Sequence, residues 1–228
     1  MAIGYVLALI LSIVDFFTEG LFSKASPIKM KFISVSAGVS ISYIFLILLP
    51  EIYFQSGAMK INKLLFLALL FGFGVFHIIE KYIRQNFTGP ALRKEHRIVH
   101  SSTSFVYFFV VGFLLVKLSE AAGNLSAILL FIPIMLHIVI DSLPRRHTKK
   151  HHLRALSASS PFLGAILASA LDIGNFGNVI LLGIVGGALL YTVVRESLPR
   201  EREGKPMYFI IGSLLFTILI LLLWNIGF

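Results

Sequence analysis

Phe131–His147 reads FIPIMLHIVIDSLPRRH, and this stretch decides the class of fold. The apolar run around it extends from Leu125 to Leu143. That is close to the roughly 20 residues a helix needs to cross hydrocarbon. Two ionisable residues, His137 and Asp141, interrupt the run. Residues four apart share one helix face. The pair can therefore hold a cation between an imidazole nitrogen and a carboxylate oxygen, or hydrogen-bond and tie two helices together. Ionisable groups inside a membrane are costly and mark functional positions. Leu143-Pro144 ends the run, and Arg145, Arg146 and His147 follow it.

Seven further runs of similar length flank this one. The eight expected spans are about 3–22, 32–52, 63–84, 98–117, 125–143, 155–173, 178–198 and 207–227. In lipid every backbone polar group must bond within the protein, so these are helices. A barrel would need alternating polar residues, which the runs lack. The expectation is an all-α polytopic membrane protein, with residues 1–228 forming one transmembrane domain. Asp15 interrupts the first run, which has no basic residue ahead of it, so it reads as a retained span and not a cleaved leader.

The net charge is +9, yet the basic residues sit in short connections between apolar runs. That pattern orients a membrane protein and does not point to nucleic acid; the partner is the bilayer. One set of connections carries Lys24, Lys29 and Lys31; Lys81, Arg84, Arg93, Lys94 and Arg97; Arg145, Arg146, Lys149, Lys150 and Arg154; and Arg195, Arg200, Arg202 and Lys205. The other side holds Lys60, Lys63 and Lys117. The richer set faces the cytoplasm, which puts both termini outside a multi-pass chain of the cell membrane. There is no cysteine, so disulfides, thiolate nucleophiles and cysteine-ligated metals are excluded.

The chain repeats itself. AGVSISYIFLILLPE runs from Ala37 to Glu51, and GGALLYTVVRESLPR from Gly186 to Arg200. Gly38 to Pro50 has the same spacing as Gly187 to Pro199. With the expected topology, the two spans run in opposite directions, as in the inverted repeats of many transporters. Span six carries Ser157, Ser160, Gly164, Ala168 and Asp172 at helical spacing, a small-residue face for a close neighbour.

Other polar residues are candidates for the same chemistry. His100 opens span four on the side where Asp141 closes span five. His77 and Glu80 share a face of span three, and Asp15 and Glu19 a face of span one. Asp15 can line a path, pair with a base from another helix, or carry a proton. Glu51 ends span two on the outer side, and Asp172 lies on that side too. The RRHTKKHHLR loop, 145–154, holds three histidines among five basic side chains. Those charges repel a dication, so anchoring at the cytoplasmic headgroups explains the loop better than metal buffering.

In order along the chain, these features resemble the ZIP (Zrt/Irt-like) divalent metal transporters. Ala37-Gly38 with Leu48-Leu49-Pro50-Glu51 is similar to that family's second span, GFGVFHIIEKYI from Gly72 to its third, and GGALLYTVVRESLPRE to its seventh. The resemblance implies a 3+2+3 arrangement of eight helices with an inverted repeat, and uptake of zinc, iron or manganese toward the cytoplasm. It places the metal between spans four and five. His137 matches the first position of the family's span-five pattern and Asp141 its last ligand, while Ile138 and Ile140 replace its second ligand and its proline. His100 is what span four offers; its acidic position falls on Ser104 or Tyr107. Ser160-Pro161 stands for the span-six Glu-Pro, and Ile47 for the span-two histidine.

The metal ligands expected from this comparison are His137, Asp141 and His100, forming a reduced, mononuclear site. One nitrogen and one oxygen from the central pair suit zinc, iron or manganese better than copper(I). The metal is cargo; no prosthetic group is expected, and a homodimer is compatible with the plan. An alternative keeps the fold and moves another solute or serves a regulatory or structural partner. A metal-dependent hydrolase is less favoured because no further acid or base lies deep beside the pair. The chain is read as a transporter and not an enzyme.

Overall fold

A computed structural model describes residues 2–18, 27–59, 63–86, 89–141, 151–194 and 205–225. Every regular element among them is helical, and no strand occurs. They are α1 (Ala2–Thr18), α2 (Pro27–Tyr43), a π-helical turn (Ile44–Leu48), α3 (Leu49–Met59), α4 (Leu64–Asn86), α5 (Gly89–Ala121), α6 (Asn124–Asp141), α7 (His151–Ala158), α8 (Ser160–Ala170), α9 (Gly174–Thr192) and α10 (Pro206–Asn225). Glu19, the basic residues 195–202 and loop residues 145–150 lie outside the described part.

Among the described residues, five stretches are long and apolar enough to cross a membrane: Met30–Phe54, Leu64–Tyr82, Ser101–Ala121, Gly174–Thr192 and Pro206–Asn225. Three apolar helices are shorter, Ile3–Thr18, Asn124–Ile140 and Ser160–Ala170. The outward faces are apolar: Leu70 is 61 % exposed on α4 and Leu215 is 63 % exposed on α10. Such surface is tolerated where lipid covers it, and the chain is a membrane protein.

Local chemistry explains the breaks. Pro50 lies within the continuous stretch Met30–Phe54. Proline has no N–H and its ring crowds the carbonyl four residues back. The ladder ahead of it widens, and Leu49 N–H bonds Ile44 O five residues away. Position 50 then gives no donor to Phe45 O or Leu46 O. Residues 89–97, expected as part of a basic loop, belong to helix α5. Gly89-Pro90 opens it as a helix start, and Ala91, Leu92, Arg93, Lys94 and Glu95 all favour helix. The α5–α6 turn passes through Gly123 at φ +89°, a left-handed position that glycine occupies without strain.

Two of the close helix pairs, α2–α10 and α4–α9, form matching seams. A Cβ added to Gly38 on α2 would overlap Phe209 O and lie 2.7 Å from Ser213 N on α10. One added to Gly187 on α9 would overlap Leu69 O and lie 2.7 Å from Phe73 N on α4. The reciprocal glycines behave alike: Gly212 faces Val35 O, and Gly72 faces Ile184 O. Gly38 and Gly187, Val35 and Ile184, and Gly212 and Gly72 thus hold matching places. In both seams the contacts advance together along the two chains, so α2 runs parallel to α10 and α4 parallel to α9. The inner member is half or more buried in each, 61 % for the α2 span and 50 % for α9, and the outer member 17 %. Val193 and Val194 take the π register in the repeat position of Ile44, so the second copy opens at the same place as the first.

The middle of the bundle is α1, α5, α6 and α8. Gly112 on α5 meets Pro161 O, and Gly164 on α8 meets Phe109 O, so the small face expected on span six is used by α5. Ser160, Gly164 and Ala168 are buried on it, whereas Asp172 lies past the helix end and accepts a 2.9 Å hydrogen bond from Gly174 N–H. The break between α7 and α8 exposes new helix-start donors, and Phe162 N–H bonds Ser12 Oγ of α1 at 3.2 Å. Arg154 of α7 donates to Phe16 O and stacks over the Phe16 ring, 4.8 Å from its centroid. A cation there complements the C-terminal end of α1.

Candidate functional site

His137 is 6 % exposed on α6, within the apolar core. Two rings of α5 enclose it: Tyr107, edge-on with centroids 6.4 Å apart, and Phe108 at 6.3 Å. Of the two span-four residues that fell on the acidic position, Tyr107 is the one whose ring meets His137. Its hydroxyl is buried and has no hydrogen-bond partner among the described residues. A buried hydroxyl left unpaired costs about 1–3 kcal/mol, so its presence here asks for a purpose.

The α5–α6 hairpin fixes the height of the other expected ligands. The helices are antiparallel, and His137 lies level with Tyr107 and Phe108. Asp141 is one turn further along α6, about 6 Å, which brings its backbone level with residues 103–104 of α5. His100 is about one turn beyond that, on the same side of His137 as Asp141. The side chains of His100 and Asp141 lie outside the described residues. Among the described residues no three His, Cys, Asp or Glu side chains gather as a metal cage.

Rings extend from His137 toward α4 and α9. Tyr107 meets Phe76 at 5.9 Å, Phe76 meets Tyr191 at 6.3 Å, and Tyr191 meets His77 at 6.0 Å. His77 is exposed and stacks on Phe73 at 6.3 Å, so ring packing accounts for it. Glu80 is half-buried on the same helix, and Asp15 is 8 % exposed on α1. Buried hydroxyls without a hydrogen-bond partner among the described residues also occur on α2 at Ser36 and on α8 at Ser160.

At the end of the bundle nearest the α5–α6 turn, a cavity of about 500 Å³ opens beside the π turn. Tyr43, Ile47, Glu51, Phe54, Ser126 and Trp224 are among its lining residues. Tyr43 is 2 % exposed, and Glu51 is half-buried. Pro50, which offers no N–H to this turn, is on the same wall. Irregular backbone at membrane depth is tolerated where protein or a wet cavity covers it. Sequence reading singled out Glu51 but not Tyr43 or Trp224; Leu-Leu-Pro inside a span was the available signal for the opened turn.

No family model matches this chain, and no curated protein matches it.

Proposed function

We propose that this chain is a membrane transporter on the ZIP-like plan, with eight spans in a 3+2+3 order and an inverted repeat. It carries a divalent cation of the zinc, iron or manganese class toward the cytoplasm. The observation that carries this reading is the pair of matching seams. Gly38 with Gly212 and Gly187 with Gly72 make the same backbone contacts, and a π opening starts at the same repeat position in each inner helix. Matching halves of opposite direction are the machinery of alternating access.

The parallel course of α4 and α9 supports the span count. The chain must cross an odd number of times between them. The helix α5 is one crossing, so α6 and the α7–α8 pair cross together or not at all. At 17 residues, the apolar length of α6 is within the range of a span. Both termini then lie on the side poor in basic residues, outside the cell membrane.

The cargo would meet His137 and Asp141 near the centre, with His100 below them toward the cytoplasm. The Tyr107 hydroxyl beside His137 offers one further oxygen or holds a water of the hydrated ion. A site this sparse keeps several waters on the metal, which favours release over retention.

Equilibrium dialysis of the purified chain against zinc, iron(II) and manganese tests the site. About one ion per chain is expected, lost in both His137→Ala and Asp141→Asn. No retention of any of the three by folded protein would contradict it. A second reading has one observation in its favour: the Tyr107 and Phe108 rings occupy flanks of His137 where carboxylates would serve a metal better. On that reading the same fold moves a different solute.

A further inference from the structure

The face of α2 that meets α6 carries a run of buried polar residues. Ile33, Ser36, Ser40 and Tyr43 recur at three- and four-residue steps, so they form one stripe. Ser36 and Ser40 are each 1 % exposed and Tyr43 is 2 % exposed. At one end Ile33 packs on Ile140 of α6. At the other, Tyr43 and Ile47 share the cavity wall with Ser126 of α6. The two helices are therefore antiparallel, and their register sets Ser36 level with His137 and Ser40 level with Pro133. Ser126, Pro133, His137 and Ile140 form the matching stripe on α6. From Ser36 to Tyr43 the seam runs about 10 Å, and it joins the level of His137 to the cavity beside the π turn.

Packing alone does not account for this stripe. In the neighbouring α2–α10 seam the hydroxyl is satisfied, with Ser42 Oγ 2.8 Å from Ser213 Oγ. Ser36 Oγ is buried as well and has no hydrogen-bond partner among the described residues. The same holds for the hydroxyl of Tyr107, whose ring meets His137. Tyr43 lies within electrostatic reach of both Tyr107 and Glu51, so it stands between the His137 level and the cavity. Buried hydroxyls left unpaired are costly, and water or an ion satisfies them. Pro133 gives no N–H to its own helix at the depth of Ser40. Oxygens lining a narrow path can take the place of a cation's waters. We infer that the α2–α6 seam is the route by which a small hydrated cation passes between the cavity and His137, closed in this structure at Tyr43. Tyr43 immediately precedes the π turn Ile44–Leu48. A change of register in that turn rotates Tyr43 relative to α3, and so opens or closes the seam. The route rests on the transporter reading and names its gate.

The sequence has no cysteine, so single cysteines report without background. Ser36→Cys, Ser40→Cys and Ser42→Cys, each as the purified full chain in maltoside micelles, are reacted with 2-aminoethyl methanethiosulfonate, a small cation. A parallel series uses 2-sulfonatoethyl methanethiosulfonate, its anionic match, and mass spectrometry reads both rates. The cation is expected to label Ser36→Cys and Ser40→Cys about tenfold faster than Ser42→Cys, whose packed seam must open locally to admit it. It is also expected to outpace the anion at position 36 beyond their ratio on a free thiol. Adding Ser126→Leu, which fills the cavity from α6, is expected to slow labelling at position 36. Adding Pro50→Ala, which favours the α register, is expected to slow it too, and neither should change position 42. Ser40→Cys keeps the test decisive if Ser36→Cys folds poorly. No metal is used, so a chain that retains no metal yet labels in this pattern keeps the route and loses only the proposed cargo. Labelling at positions 36 and 40 no faster than at 42, equal relative rates for cation and anion, or rates that Ser126→Leu and Pro50→Ala leave unchanged would overturn the inference.

Discussion

The α2–α10 and α4–α9 seams share a backbone and differ in what fills it. Both are closed by reciprocal glycines against main-chain carbonyls at matching positions. Beyond the glycines they part. The first seam is laced by hydroxyls: Ser42 Oγ lies 2.8 Å from Ser213 Oγ and 3.5 Å from Thr217 Oγ1. The second is filled by rings, with Phe73 edge-on to Tyr191 at 5.5 Å and His77 stacked beside them. The close approach is common to both, because a Cβ has no room there. The side chains beyond it differ. A ring stack ends against Tyr107 and the His137 site on one side, whereas the hydroxyl seam ends near the π turn and its cavity.

The largest expected effect breaks both seams alike. Gly38→Val and Gly187→Val each force a side chain into backbone, and each is expected to cost about 3 kcal/mol or more of stability. Gly74→Val on α4 is the control, since an added Cβ there meets nothing within 4 Å. Thermal unfolding in detergent reads all three; equal losses at Gly38 and Gly187 with none at Gly74 support equivalent seams. A large loss at one and none at the other would break the comparison.

A smaller effect separates the two copies at their openings. Pro50→Ala restores an N–H to the ladder and is expected to stabilise the α2–α3 helix by about 1 kcal/mol. On the proposed function it should also slow transport, because the opened turn closes toward α-helical register. Hydrogen exchange at residues 44–49 is the direct readout, with slower exchange expected in the variant. The smallest effect sharpens the contrast between hydroxyls and rings. Ser42→Ala removes the 2.8 Å bond to Ser213 and the long 3.5 Å one from Thr217, and is expected to cost about 0.6 kcal/mol, the average for one good bond between membrane helices.

Much of this was written in the sequence where local pattern carries it. Gly38 to Pro50 and Gly187 to Pro199 are visible as a repeat because both lie in contiguous, similarly spaced runs. Their partners Gly72 and Gly212 are not visible in that way. They stand in dissimilar contexts, GFGVF and IIGSL, and only the contact across the seam identifies them. Apolar run length marks the long spans, and it marks the short ones too; Pro161 near the start of α8 is the local signal for the break at Ser159. The candidate site divides likewise. Helical spacing singles out His137 and Asp141 in the sequence, and of the two the structure describes the side chain of His137. The choice between Ser104 and Tyr107 opposite His137 is a matter of helix rotation, which composition does not encode. The cavity combines α2, α3, α5, α6, α9 and α10 with the α5–α6 turn, so no single stretch announces it.

On the proposed function, matching halves move a divalent cation past His137 and Asp141. Uptake of zinc, iron(II), manganese and cadmium into proteoliposomes, with Asp141→Asn alongside, tests this. Saturable flux is expected for at least one of these ions, abolished in Asp141→Asn while the variant unfolds at the same temperature as the parent chain. Flux of none of them from folded, correctly inserted protein, or flux that Asp141→Asn leaves intact, would contradict it.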